Sequence, residues 1–315
     1  MCGISGRVRY DGGRVGADIV ELAACMRHRG PDSTGFAIYG PRRTEGYVVR
    51  GYLDDREALD PTLQALGDQL TALGSGLVAD PTCDESGQRH VLFRLEIAEL
   101  DDLSTWVDLA ESLAGVELLS VGRSLEIVKD VGDAREVDDK HHVSAMAGTH
   151  ALSNMRLATE SLVSPIASHP FWARPFPDVC IVHNGQLTNY FTWRRTLERA
   201  GYRFGSENDS ELIAVWNSVQ MSEGLSLEGS LTKSQSELDG VFTYLLGTIE
   251  GIGMAKDRWA IKPLAVVDEP DGIAIATEEQ ALRSLYQHEV DVQNYDGPLM
   301  TEVWRIDGTR TGAAA

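Results

Sequence analysis

From the N-terminus the apolar residues first follow a strand period and then a helical one. Ile4 to Arg9 reads as a short strand closed by a turn at Asp11-Gly12-Gly13. Ile19, Leu22, Ala23 and Met26 then recur at i, i+3, i+4 and i+7, which predicts an amphipathic helix that stops at Gly30-Pro31. The strand period returns from Gly35 to Tyr39. From about residue 51 to 145 the character changes. DDREALDPTLQALGDQL and DDKHHVS are acidic and polar, and they bracket a compact pattern of their own. Within it VLFRLEI predicts a strand, Leu103, Val107, Ala110 and Ala114 a helix face, and VELLSV and LEIV two further strands. Residues 51–145 are therefore expected to form a small inserted α/β subdomain within a domain spanning 1–315. Downstream, CIVHNG predicts a strand, and YFTWRRTLERAG and DSELIAVWNSV two helices. VFTYLLGT, GIGMAKD, PLAVVDE and GIAIATE predict four short strands joined by Gly- and Pro-containing turns. Strand-rich ends enclosing helices predict an α+β protein of layered sheets covered by helices.

The bulk composition changes this picture only by exclusion. With 43% hydrophobic and 24% charged residues the chain has the balance of an ordinary folded protein. Twenty-eight basic against 48 acidic residues give a formal charge of -20, which repels a polyanion such as DNA or RNA. No apolar run is long enough to span a bilayer, and the N-terminus lacks the pattern of a signal peptide, so a cytoplasmic protein is expected. Cys2, Cys25, Cys83 and Cys180 are widely spaced with no CxxC pair, which argues against a zinc knuckle or a disulfide framework.

The candidate chemistry begins at Cys2. Removal of the initiator methionine would leave a free α-amine beside the thiol of the same residue. Such amines and thiols titrate close together near neutral pH, so the amine can act as general base for its own thiol. His183-Asn184-Gly185, at the end of the apolar stretch from Cys180 to Val182, offers an amide side chain and an unhindered N–H to a developing oxyanion. Arg156 in NMRLATES can engage a carboxylate bidentately, and Asp209 in NDSE can hold an ammonium. Together they would read the head group of an amino acid. This chemistry requires no metal and no cofactor.

In order along the chain, MCGI, RHRGPDSTG, MRLATES, SHPF, HNGQLTN, NDSE and DRWAIKPL resemble the motifs of class II glutamine amidotransferases, a family of N-terminal-nucleophile hydrolases. The resemblance implies a four-layer αββα sandwich and hydrolysis of the side-chain amide of glutamine through a γ-glutamyl thioester on Cys2. It implies an oxyanion hole at Asn184 and Gly185, with Arg156 and Asp209 as ligands of the substrate carboxylate and amine. Arg29 would organise the nucleophile loop, and Thr159 would help line the glutamine pocket. The pattern is most similar to stand-alone amidotransferase subunits of glutamate-synthase type, including those of N-methylglutamate synthases. Asn154 departs from it, standing where the family usually has a histidine two places before the arginine. With no P-loop or GxGxxG fingerprint present, ammonia would pass to a synthase partner on a separate chain.

Each of these residues also has a structural reading. Arg156 could be an ion-pair residue, Asp209 a helix cap and Asn184-Gly185 a turn. Cys25 and Cys180 read as core residues, and His141-His142 as a solvated loop rather than a metal site. Two other functions stay open at this level: another amide hydrolase with the same Cys2 machinery, and a non-catalytic subunit that senses glutamine or scaffolds a complex.

Overall fold

A computed structural model describes residues 2–84, 89–157 and 164–313. Two large antiparallel sheets lie face to face. The first has seven strands in the order Val292–Asn294, Ala265–Glu269, Gly272–Ala276, Gly3–Arg9, His150–Arg156, Ser33–Tyr39 and Leu125–Val131. The second has six, in the order Arg310–Ala313, Thr301–Arg305, Gly251–Lys256, Gly240–Thr248, Cys180–Leu187 and Phe171–Trp172. Side chains of successive strand residues point to opposite faces, and here both faces are apolar because both are covered. Val182, Leu245, Met254 and Trp304 face inward and join Ile4, Val8 and Leu152 of the other sheet in one core. Their neighbours Ile181, Tyr244, Leu246 and Val303 face outward into a second core under the helices.

The helices complete the four layers. Val15–Cys25 buries Ile19, Leu22 and Ala23 against Gly3–Arg9 and His150–Arg156, and Glu279–Ser284 covers the adjoining strands. On the far side Asp209–Ser222 and Leu227–Glu237 cover the six-stranded sheet, and Tyr190–Arg199 packs on Asp209–Ser222. Asp209–Ser222 is buried almost all round, from Ser210 to Gln220, because it packs between the sheet and the flanking helices. Leu227–Glu237 was not expected. Its sheet-facing side is made of Ser230, Leu231 and Ser234, so its apolar stripe is too thin to read.

The inserted segment differs from expectation at both ends. Its four-stranded sheet, in the order Thr82–Cys83, Val91–Ile97, Tyr47–Leu53 and Val116–Gly122, already begins at Tyr47. The LEIV strand does not belong to it. Leu125–Val131 pairs with Ser33–Tyr39, and this covers what would otherwise be an exposed edge of the seven-stranded sheet. The acidic stretch at its start forms the helix Leu59–Ala72, whose Leu59, Leu63, Leu66 and Leu70, at i, i+4, i+7 and i+11, make one apolar stripe: Leu66 and Leu70 are buried, and Leu59 and Leu63 pack partly exposed against the core.

The His141-His142 pair divides: His142 is exposed beyond the helix end as expected, and His141 is a second correction. His141 ends the helix Ala134–His141 and its side chain is 1% exposed, between Asp84 at 2.7 Å and Asp130 at 3.0 Å. Burial alone would lower its pKa, but the two carboxylates outweigh that and raise it. An imidazole held by two acids is a strut between the small sheet and the large one. Among the described residues no group of His, Cys, Asp and Glu is arranged to hold a metal.

Candidate active site

Cys2 leads directly into Gly3–Arg9, near the middle of the seven-stranded sheet. The chain there is anchored from both sides. Ile4 N–H donates to Thr277 Oγ1 at 2.9 Å, and Thr277 N–H returns to the Ile4 carbonyl at 3.0 Å. From the other sheet Asn184 Nδ2 donates to the Cys2 carbonyl at 3.1 Å. The half-buried Cys2 opens onto a cavity of about 310 Å³ whose wall includes Arg29, His183, Asn184, Gly185 and Asp209. The other cysteines stand elsewhere. Cys180 is fully buried, and burial pushes its thiol up to about 12, which leaves it inert. Cys25 bonds only its own helix, through Glu21.

Asn184-Gly185 is not a turn. The strand Cys180–Leu187 runs straight through it, and Gly185 stands opposite Phe242. The N–H and C=O of Phe242 are both engaged by Asp257, at 2.8 and 3.0 Å. In an antiparallel ladder a residue whose polar groups face one neighbour leaves its opposite partner without hydrogen bonds on that side. The N–H of Gly185 therefore points away from the Gly240–Thr248 strand. Gly185 has φ +150°, and a Cβ there would lie 2.0 Å from the Val241 carbonyl, so only glycine fits.

Asp209 is the first residue of Asp209–Ser222, and Asn208 caps that helix by accepting from Ser210 N–H at 2.9 Å. Capping thus falls to Asn208 and leaves Asp209 for other contacts. Asp209 Oδ2 accepts from Leu187 N–H at 2.9 Å, and Oδ1 lies 3.6 Å from Nδ1 of His183. Burial works to raise its pKa, but the nearby His183 and the hydrogen bond from the Leu187 N–H hold the carboxyl below its usual range. A carboxylate at a helix N-terminus is further favoured by the helix dipole. It stays ionised at any physiological pH.

Arg29 ends the short helix Arg27–Arg29 and pairs through Nε with Glu278, which also meets His28 at 3.0 Å. Arg156 ends His150–Arg156, and its Nη1 donates to the Ala167 carbonyl at 2.8 Å. Its neighbour Leu157, not Arg156 itself, is part of the cavity wall. Thr159 lies outside the described residues. The inward-facing Asn154 is buried with neither amide atom hydrogen-bonded among the described residues.

Sequence reasoning assigned no role to His169, Ser210, Lys262 or Thr277, yet all four line the cavity. The first three lie inside SHPF, NDSE and DRWAIKPL, so the signal was present but unassigned. Thr277 gave none, because a threonine ending an apolar strand looks like any other.

The fold and this cavity define an N-terminal-nucleophile hydrolase: two stacked antiparallel sheets between helix layers, with a cysteine at the head of one strand facing an Asn-Gly pair on the other sheet. Residues 154–284 match the family described as a glutamine amidotransferase domain. The chain is 35% identical over 291 residues to a "putative glutamine amidotransferase" of Methanothermobacter thermautotrophicus, covering 90% of this chain and 94% of that one. It is 33% identical over 288 residues to the "glutamine amidotransferase-like protein GlxB" of Rhizobium meliloti, covering 90% and 92%. It belongs to the class II glutamine amidotransferase family. Among solved structures, the glutamine phosphoribosylpyrophosphate amidotransferase of B. subtilis superposes with a TM-score of 0.63 at 16% identity, over 99% of this chain and 49% of that one. The "allosteric regulatory enzyme of purine biosynthesis" gives 0.62 at 17%, over 99% and 48%. The fold is thus shared with chains about twice as long.

Proposed function

We propose that this chain is the glutaminase half of an amidotransferase. The observation that carries the reading is the convergence of Cys2, Asn184-Gly185 and Asp209, from separate parts of the chain, on one cavity of about 310 Å³. Once methionine is removed, the α-amine of Cys2 takes the thiol proton and sulfur attacks the side-chain amide carbon of glutamine. Asn184 Nδ2 and the Gly185 N–H stabilise the oxyanion. The amine then delivers its proton to the leaving nitrogen. Ammonia departs and a γ-glutamyl thioester remains, which water hydrolyses to glutamate and free thiol.

Asp209 would hold the substrate ammonium and Arg156 its carboxylate, Thr159 would help line the pocket, and Arg29 and His183 would support the nucleophile and oxyanion segments. Arg156 would have to swing toward the cavity from the Ala167 carbonyl. We assign the ammonia acceptor to a separate synthase chain of glutamate-synthase type in the cytoplasm. Beside the cavity a wider hollow of about 710 Å³ shares Gly185 and Lys262 with it and is rimmed by Trp259, which is 60% exposed. An apolar side chain that exposed at the site is surface for such a chain to cover. The test is glutamate release from glutamine by methionine-processed protein, alone and with its co-purifying chains. Absence of release in both, with intact mass showing Cys2 free at the terminus, would overturn the reading.

A further inference from the structure

Three buried side chains from three segments of the chain meet at one oxygen on the cavity wall. Ser210 is 1% exposed, and its Oγ lies 2.6 Å from Nε2 of His169 and 2.9 Å from Nδ1 of His183. His169 precedes the strand Phe171–Trp172, and His183 directly precedes Asn184-Gly185. A hydroxyl has one proton to give, and Ser210 Oγ also lies 3.5 Å from Asp209 Oδ1, a distance too long to compete with the two imidazoles, so Ser210 donates to one imidazole and accepts from the other.

Asp209 decides the direction. Its Oδ1 is 3.6 Å from Nδ1 of His183, so a proton there faces a carboxylate, whereas a lone pair there would face negative charge. His183 therefore carries its proton on Nδ1 and donates it to Ser210, and Ser210 donates to Nε2 of His169. Burial, reinforced by His183, holds His169 far below its ordinary pKa, so that ring is neutral and one of its two nitrogens is an acceptor. The outer nitrogens, Nε2 of His183 and Nδ1 of His169, are buried and have no hydrogen-bond partner among the described residues. No competing contact sets the tautomers.

We propose that Ser210 is a positioning residue for recognition of the substrate amine: by drawing the Nδ1 proton of His183 to its own oxygen, it keeps Asp209 Oδ1 free for the ammonium. The inference rests on reading this cavity as the glutamine site. Asp209 Oδ2 is already committed to the Leu187 N–H at 2.9 Å, whereas Oδ1 has its neighbours Ser210 Oγ and His183 Nδ1 only at 3.5 and 3.6 Å, so Oδ1 is the oxygen left to offer. Without the hydroxyl, the Nδ1–H of His183 closes onto Asp209 and competes with the incoming ammonium. The chemistry at Cys2 is not touched by that change. The loss falls on amine binding.

The test compares glutamate release by wild type, Ser210→Ala and Ser210→Thr with glutamine, and amide hydrolysis of glutaramate, the same skeleton without the α-amine. Ser210→Ala is expected to raise KM for glutamine about tenfold while kcat stays within about threefold, since one hydrogen bond to a charged group is redirected. Ser210→Thr restores KM, and turnover of glutaramate changes by less than about twofold, because that substrate makes no demand on Asp209. Equal losses on both substrates, or an unchanged KM for glutamine, would overturn the proposal. A second readout is independent of activity. ¹⁵N spectra of the histidine rings, with the His183 signal identified by its loss in His183→Gln, should show His183 protonated on Nδ1 in the wild type; protonation on Nε2 overturns the proposal. A wild-type protein that releases no glutamate under any condition removes the glutaminase reading instead, and the proton arrangement is then decided by the spectrum alone.

Discussion

On the six-stranded side of the cavity the polar atoms are tied to one another. Asp209 holds Leu187 N–H and faces His183, His183 and His169 share Ser210, and Glu211 in the next position accepts from Arg174, Gly205 N–H and Ser206 N–H at 2.8 to 2.9 Å. On the seven-stranded side Cys2 is fixed through its backbone, by the Thr277 contacts at Ile4 and by Asn184, and among the described residues no hydrogen bond holds its thiol. On the mechanism proposed above, the difference follows the work of each wall. A carboxylate that must be aimed at a substrate charge gains from preorganisation, because orienting it during binding would cost free energy. A sulfur that must lose a proton, form a bond and release it again gains from having no partner to give up.

The comparison can be broken most decisively at the nucleophile. Cys2→Ala should lower glutamine hydrolysis by on the order of 10⁴-fold or more, with the melting temperature nearly unchanged because the thiol holds nothing in place. A normal rate in a coupled glutamate assay would remove Cys2 from the mechanism. The next largest effect is expected from Asn184→Ala. It should cut kcat by about 10²- to 10³-fold, the usual effect of losing one oxyanion donor, with a modest change in KM. Asp209→Asn should do the reverse, raising KM by on the order of 100-fold with a smaller change in kcat, since a charge-assisted contact is lost from both ground and transition state. If both variants changed the same constant, the division of labour between oxyanion site and head-group site would be wrong.

The smallest effect concerns Lys129, which lies beneath the loop that carries His169. It is wholly buried, with Nζ 2.8 Å from the Ser168 carbonyl and within 3.4 Å of those of Ile166 and Pro170. Burial first, then the charge of Arg174, lowers its pKa from 10.5 to about 7. Its folded value is depressed, so between pH 7 and 10.5 the unfolded chain binds more protons than the folded one. Stability should therefore rise with pH across that window, by up to about 1.4 kcal/mol per pH unit from this group. Denaturant titrations of wild type and Lys129→Met at pH 7 and 9 would show it, and an equal pH dependence in both would sink the assignment.

Several elements were legible because local physics dictates them. The helix through Ile19, Leu22, Ala23 and Met26, and the four strand runs from VFTYLLGT to GIAIATE, have their period written in residues that must be buried on one face or on both. Leu227–Glu237 was not legible, since a leucine between serines carries little period, whereas Leu59–Ala72 had its period in Leu59, Leu63, Leu66 and Leu70 and was hidden only by the acidic residues between them. The same holds in the cavity. Cys2, Asn184-Gly185 and Asp209 were marked by residue type, because nucleophile, oxyanion donor and fixed anion each need a particular functional group. Ser210, His169 and Thr277 were not, because a serine or threonine acquires a role only from what stands opposite it.

The sequence by itself determined the inventory of chemistry: a thiol at position 2, an amide-glycine pair after an apolar strand, and an anion at the start of a helix. Only the tertiary structure decided that LEIV closes the large sheet rather than the small one, that His141 is a buried strut, that Arg156 stands back from the cavity wall, and that Ser210 stands between His183 and His169. These are contacts between residues far apart along the chain. Their energies depend on distance and burial, which no local pattern records.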